Sequence, residues 1–305
     1  MLRYTGKRVL LALLVAATVS LLSFLLLNLA GDLAQAIAGP EARAADVQAL
    51  RRQLGLDRPV LIRYVEWLGR VVRGDFGESY YFQLPASEVI GERLPVTMTL
   101  GGLALGFAVV LAIPLGVLAA VRPNTWLDRL ALTLSVVGQA MPSFWFSLML
   151  ILLFGVALRW LPITGSDTWA HFVMPAIALG YYATPAFMRL TRTGMLEVLA
   201  SDYIRTARAK GIRTPRILFK HALRNAIIPV VSLAAVQLGF MLGGSVVIET
   251  VFALRGIGFL AWESITRSDF PLVQAIVLIL ALLYVGLNLL ADLLNALLDP
   301  RLRVG

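Results

Sequence analysis

The strongest constraint on this chain is a series of long apolar windows almost free of charge: Val9 to Ala30, Val96 to Val121, Leu130 to Leu158, Phe172 to Met188, Ala226 to Ile248 and Leu272 to Ala291. A helix needs about 20 apolar residues to cross a hydrocarbon layer of roughly 30 Å. Only helices and closed barrels satisfy their backbone polar groups in that layer, and none of the windows shows the short alternating pattern of a barrel strand. The expectation is an all-α integral membrane protein with about six transmembrane helices. Composition agrees, since 59% hydrophobic against 15% charged residues excludes a soluble enzyme and a disordered chain. The absence of cysteine removes disulfide scaffolds and thiolate metal sites.

Several residues within the windows carry expectations of their own. The fourth window is short, with Pro175 and Pro185 bounding or kinking it, and Pro114 and Pro142 are expected to interrupt their helices. Gly106, Gly116 and Gly239 should permit close packing or bending. Gln139, Gln237 and Asn288 are read as interhelical hydrogen bonds, and Asp292, near the end of the last window, as structural. The N-terminal window, followed by Ala34-Gln35-Ala36, has some features of a cleaved signal. At 22 residues it exceeds the usual signal core of roughly 7 to 15, so it is expected to stay as an anchor.

A net charge of +9 raises the question of a nucleic-acid partner, but the cations lie between the spans. One set of connections (the N-terminus with Arg3, Lys7 and Arg8, the loop 122–129, the loop 189–224, and the tail with Arg301 and Arg303) holds 16 cations and four acids. The opposite set holds 11 cations and 13 acids. The positive-inside rule then puts both termini and the loop 189–224 in the cytoplasm, as in a multi-pass membrane protein, and leaves no case for nucleic acid.

Two segments stand outside the spans. In 31–95, Val47, Leu50, Leu54, Val60, Tyr64, Trp67, Leu68, Val71 and Val72 recur at helical spacing, interrupted by Gly55 and Pro59. This predicts two short amphipathic helices, which either rest on membrane lipid and neighbouring helices or form a docking surface or lid. The loop 189–224 carries nine cations and two acids, Glu197 and Asp202. Leu196, Leu199, Tyr203 and Ala207 share one helical face, with Arg205 and Arg208 on the other. Gly211 is placed as a helix terminator, with Thr214 as the N-cap and Pro215 at the first helical position of a second short helix. Attraction to anionic lipid does not call for a small-residue stripe ending in a glycine turn, whereas a protein partner does.

The chain has no Gly-x-x-x-x-Gly-Lys-Ser/Thr loop for nucleotide phosphates, no His-Glu-x-x-His and no Gly-x-Ser-x-Gly elbow. Its two histidines, His171 and His221, fall on opposite sides of the expected membrane, so no metal site is expected. Any transport activity would need an energy source that this chain does not display.

The stretch from Glu197 through Asp202, Tyr203, Arg205, Thr206, Ala207, Arg208 and Lys210 to Gly211, followed by His221-Ala-Leu-Arg-Asn-Ala-Ile-Ile-Pro229, resembles the cytoplasmic coupling loop of permease subunits in ATP-binding-cassette (ABC) importers, above all the dipeptide and oligopeptide branch. The likeness extends to Gln53-Leu-Gly-Leu-Asp-Arg-Pro59, Gly74-Asp-Phe-Gly77, Leu94-Pro-Val-Thr97, Trp160-Leu-Pro162, Glu249-Thr-Val-Phe252, Gly256-Ile-Gly258 and Asp299-Pro-Arg301. It departs where the branch has Pro-Gly-Asp-Pro, since this chain reads Ala30-Gly31-Asp32-Leu33.

The resemblance implies a type I ABC importer permease fold. Its parts would be a cytoplasmic stub and first helix (1–30), an extracytoplasmic insertion (31–95), a permease core (96–298) and a cytoplasmic tail (299–305). It further implies a second permease subunit, two cytoplasmic ATPase subunits that bind ATP and magnesium, an extracytoplasmic substrate-binding protein, and no cofactor on this chain. Asp202, Tyr203, Arg205, Thr206, Ala207, Arg208, Lys210 and Gly211 would contact the ATPase, with Ala207 and Gly211 allowing close backbone approach. The implied cargo is a dipeptide, oligopeptide or similar small solute, with glutathione or a nickel chelate as the alternative. A self-sufficient secondary carrier is the competing class.

Overall fold

The computed structural model describes residues 2–30, 33–39, 42–53 and 55–298. Gly31, Asp32, Leu54 and the tail from Asp299, with Arg301 and Arg303, lie outside the described residues.

Helix α1 (Leu2–Ala30) leads into the insertion, where α2 (Leu33–Ala38), α3 (Ala44–Gln53) and α4 (Val60–Val72) are short. The two expected amphipathic helices are α3 and α4, separated at Gly55 and Pro59. Helix α5 (Ala86–Val121) starts ten residues before the expected span and runs through Pro95 and Pro114 without a break. Pro114 was expected to interrupt it. A membrane helix tolerates proline when packed neighbours hold its backbone, and the buried row Ala104, Ala108 and Ala112 shows how closely α5 is enclosed here.

The third apolar window is not one span. It divides into α6 (Trp126–Ala140) and α7 (Ser143–Leu150), which continues as a π-helical segment over Ile151–Ala157, and the two parts meet at 102°. Pro142 causes the break, because a residue preceding proline avoids the helical region, and Met141 is extended at φ −79°, ψ 130°. The Tyr181 hydroxyl donates to the Met141 carbonyl at 2.7 Å and so satisfies an acceptor freed by the break. The fourth window likewise divides, into α8 (Ala170–Gly180), with Pro175 inside it, and α9 (Thr184–Leu199), with Pro185 in its first turn.

The remaining elements are α10 (Asp202–Ala209), α11 (Thr214–Arg216), a second π-helical segment over Ile217–Ala222, α12 (Leu223–Ala226), α13 (Ile228–Val251), α14 (Ile257–Thr266) and α15 (Phe270–Leu298). Among the described residues, α1, α5, α13 and α15 are long and apolar enough to cross a membrane alone, and the bent α6–α7 pair makes a fifth candidate. Eleven-residue α8 falls short by itself.

Helices α1 and α15 run antiparallel: Arg8 pairs with Asp292 at 2.9 Å, and Phe24 packs in one cluster with Leu278 farther along. Asp292 is thus held by a partner on another helix, in a structural role. Asn288 differs from expectation, because its amide donates to the Tyr284 carbonyl one turn back on its own helix. Gln139 accepts from Arg189 of α9 at 3.4 Å. Helix α5 is approached closely on two sides: a Cβ on Gly116 would sit 2.7 Å from the Thr191 Cβ of α9, and one on Gly180 of α8 would sit 2.4 Å from the Ala104 carbonyl oxygen. Gly239 of α13 has a similar close neighbour in Tyr284, whereas Gly106 faces open space. Small residues at helix crossings let backbones approach where lipid offers no hydrophobic drive to do so.

Candidate functional site

The loop between α9 and α13 lies at the same end of the bundle as Arg8 and Asp292, called here the basic end. Helix α9 stops at Leu199, and Ser201 turns extended (φ −70°, ψ 153°) before α10 begins. The expected face running from Leu196 to Ala207 is therefore split between two helices. Serine competes with the helical backbone for hydrogen bonds, and the Ser201 hydroxyl donates to the Val198 carbonyl.

Helix α10 ends in the predicted glycine turn. Gly211 takes φ +70°, its N–H donates to the Arg208 carbonyl at 2.9 Å, and the Ile212 N–H reaches the Ala207 carbonyl at 3.2 Å. These two bonds define a Schellman cap, whose left-handed residue is favourable for glycine. A second short helix, α11, follows with Pro215 in its first turn, but its N-cap is Arg213, and Thr214 is already its first helical residue.

Burial divides α10 into two sides. Ile204 and Ala207 point inward and pack with Val117 and Ala120 of α5, Met195 of α9, and Ile217, Ala222 and Ala226. Asp202, Tyr203, Arg205, Thr206, Arg208, Lys210 and Gly211 are exposed. Ala207 was expected to ease the approach of a partner. Its methyl group instead seats α10 on its own bundle, in the same cluster as Leu196 and Leu199. Tyr203 leaves the expected apolar face for the surface, and its hydroxyl accepts a bond from the Asn225 amide at 2.9 Å. Arg205 and Asp202 form a solvent-exposed pair at 3.2 Å, a kind that contributes little to stability. Arg208, Lys210, Arg213 and Arg216 form no ion pair among the described residues.

A clamp that the sequence did not disclose connects this loop to the bundle. Arg192 of α9 donates from Nε to Asp128 Oδ1 and from Nη2 to Asp128 Oδ2, both at 2.7 Å, and the Asn124 N–H adds a bond at 2.9 Å. Asp128 is 2% exposed. The bidentate geometry fixes orientation as well as charge, tying the start of α6 to the helix that leads into α10. The signal available in the sequence was a lone acid in a short basic connection.

The opposite, capped end is closed by two buried acids. Glu249, in the last turn of α13 and fully buried, accepts from the Thr97 hydroxyl of α5 and from the Phe259 N–H of α14, each at 2.9 Å. Thr97 Oγ1 in turn accepts from the Ile257 N–H at 2.8 Å. The first turn of α14 thus finds partners for donors that a helix start leaves unpaired. Gly256 lets the loop come this close, since a Cβ there would sit 2.5 Å from both Glu249 Oε2 and Thr97 Oγ1. Asp269 accepts from the Ser79 hydroxyl and from the N–H groups of Tyr80 (3.3 Å), Tyr81 (3.2 Å) and Leu272 (3.4 Å), which pins the loop before α5 to the start of α15. Burial, reinforced by the Asp269 charge, raises the Tyr80 phenol above its usual range. Among the described residues, no three His, Cys, Asp or Glu side chains gather as metal ligands.

Two family profiles match the chain. The binding-protein-dependent transport system inner membrane component matches residues 112–304, and its N-terminal counterpart matches residues 1–101. The glutathione transport system permease protein GsiC of Salmonella typhimurium is 41% identical, and that of Escherichia coli 40% identical, each over 99% of both chains. Among solved structures, a chain of the inward-facing MetNI methionine ABC transporter is similar in fold, with a TM-score of 0.58 at 20% identity, covering 69% of this chain and 96% of that one. A chain of an amino acid ABC transporter with histidines aligns with a TM-score of 0.50 at 18% identity, covering 70% of this chain and 94% of the other.

Proposed function

This chain belongs to the binding-protein-dependent transport system inner membrane components, a multi-pass permease subunit of an ABC importer, and from that premise we propose how it is driven and what it carries. The exposed rim of α10, from Asp202 to Gly211, docks in a groove on a cytoplasmic ATPase subunit. Two such ATPases bind ATP and magnesium, and this chain needs no cofactor of its own. A second, similar permease completes the pathway, and an extracytoplasmic binding protein delivers the cargo. Both termini and the loop 189–224 face the cytoplasm. ATP-driven closure of the ATPases pushes on α10 and biases the bundle between inward and outward access.

The observation that carries this reading is the division of α10 into two sides. Ile204 and Ala207 lock its inner side to α5 and α9, so a push on the charged outer side is transmitted to the bundle instead of being lost in a mobile loop. The 40–41% identical relatives named for glutathione transport support glutathione, or a short peptide of similar size and polarity, as cargo.

Cross-linking from Arg205→Cys and Arg208→Cys in the assembled transporter should capture the ATPase subunit, and glutathione should compete for uptake. Failure to capture an ATPase from either position would remove the docking role of α10. Gradient-driven uptake by this chain alone in liposomes would favour a self-sufficient carrier.

A further inference from the structure

We propose that α4 is a lateral membrane anchor, with the uncovered part of its apolar arc immersed in phospholipid at the capped end of the bundle. Its helical wheel carries more apolar surface than its protein neighbours cover. Tyr64, Trp67, Leu68 and Val71 pack with Phe24 of α1 and Leu278 of α15, and the Tyr64 hydroxyl lies 2.8 Å from Ser20 Oγ. The same arc continues around the helix to Leu61, Val65 and Val72, which are 71%, 60% and 80% exposed. Arg63, Glu66, Arg70 and Arg73 occupy the remaining side.

Depth identifies what covers the exposed part. Phe24 lies six residues before the end of α1 at Ala30, and Leu278 eight residues after the start of α15 at Phe270. At 1.5 Å per residue these are about 9 and 12 Å along the two spans, so both helices give nearly the same level. The apolar stretch of α1 from Val9 to Ala30 measures roughly 33 Å, close to the hydrocarbon thickness, which puts Ala30 near its edge. Helix α4 therefore lies against the flanks of two spanning helices at the acyl–headgroup boundary, where an interfacial helix buries its apolar face about 5–10 Å deep.

A protein arriving from water would meet the ends of α1 and α15, not their flanks. Charge points the same way, because Arg70 and Arg73 can reach phosphate groups while their stems remain in the apolar layer. The one acid on that side, Glu66, is already held by Arg58 through two bonds at 2.9 and 2.6 Å.

The test uses the absence of native cysteine in this chain. Leu61→Cys, Val65→Cys and Val72→Cys, each carrying an environment-sensitive fluorophore, are placed in the complete transporter in phosphatidylethanolamine–phosphatidylglycerol vesicles. Asp57→Cys, in the turn before α4, serves as the aqueous reference. Acyl-chain nitroxide lipids should quench the three α4 probes about threefold more than the reference, and aqueous iodide should do the reverse. Iodide quenching of all four positions alike would overturn the proposal. So would shielding of positions 61, 65 and 72 from lipid by the second permease, or protection that appears only when the binding protein is added. Because these side chains are exposed, the substitutions should leave the fold intact. Labelling of the same cysteines by a membrane-impermeant thiol reagent in unpurified membranes provides a second reading, and rapid reaction at 61, 65 and 72 would also count against lipid immersion.

Discussion

At the capped end Glu249 and Asp269 are buried and bonded to hydroxyl and backbone donors drawn from distant parts of the chain; at the basic end Asp202, Arg205, Arg208 and Lys210 stand in solvent on a helix whose other side is packed. The capped end gives its polar groups partners within the chain, as a unit whose geometry must hold would require. The basic end offers charge outward on a rigid mount, as a surface built for a partner would. Among the described residues its one buried acid, Asp128, locks the mount instead of facing outward.

Mutations can break this contrast, and on the scale of stability they fall in a definite order. Glu249→Ala leaves the Thr97 hydroxyl and the Phe259 N–H without an acceptor in a buried setting, and removes a packed side chain. It should cost about 3–4 kcal/mol, read as a large loss of thermal stability of the purified protein in detergent. Gly256→Ala, which forces a Cβ onto the same two oxygens, should act in the same direction. Unchanged melting in both variants would mean that the capped end is not a lock.

Asp128→Asn should cost somewhat less, about 2–3 kcal/mol, because Arg192 retains some access to water. The double exchange Asp128→Arg with Arg192→Asp should recover part of that loss in a double-mutant cycle. Purely additive effects would show that the two side chains do not act as a pair.

Ala207→Leu, by overfilling the contact between α10 and α5, should destabilise by about 1–2 kcal/mol. An effect on ATPase docking alone, with stability intact, would return Ala207 to the partner-facing role read from sequence. Reversing both Arg205 and Arg208 to Glu should move stability by no more than about 0.5 kcal/mol, as for exposed sites. The same change should lower substrate-stimulated ATP hydrolysis by the assembled transporter about tenfold, an effect typical of lost charge complementarity. A normal rate would separate the charged rim from coupling.

Much of the site was legible because its signals are local. A glycine that must take positive φ, a proline in the first turn of a helix and a run of cations each act within a few residues, so Gly211, Pro215 and the basic loop were placed before any fold was known. The exit of Tyr203 from the shared apolar face was not legible, since Ala207 stays packed with Leu196 and Leu199 while Tyr203 turns to the surface and meets Asn225. Nor was the role of Glu249, which appeared in a motif near the end of an apolar window. Its partners lie up to 152 residues away in the chain.

The sequence alone determined that this is a helical membrane protein, roughly where its helices run and which loop carries the cations, because bilayer thickness and backbone hydrogen bonding leave a stretch of apolar residues few alternatives. Tertiary structure decided that Tyr203 leaves the apolar face of α10, that Pro142 breaks a window while Pro114 does not, and that Asp128 finds Arg192. Each of these depends on which neighbour arrives to bury a methyl group, pack around a proline or neutralise a charge, and neighbours distant in sequence are set only by the packed bundle.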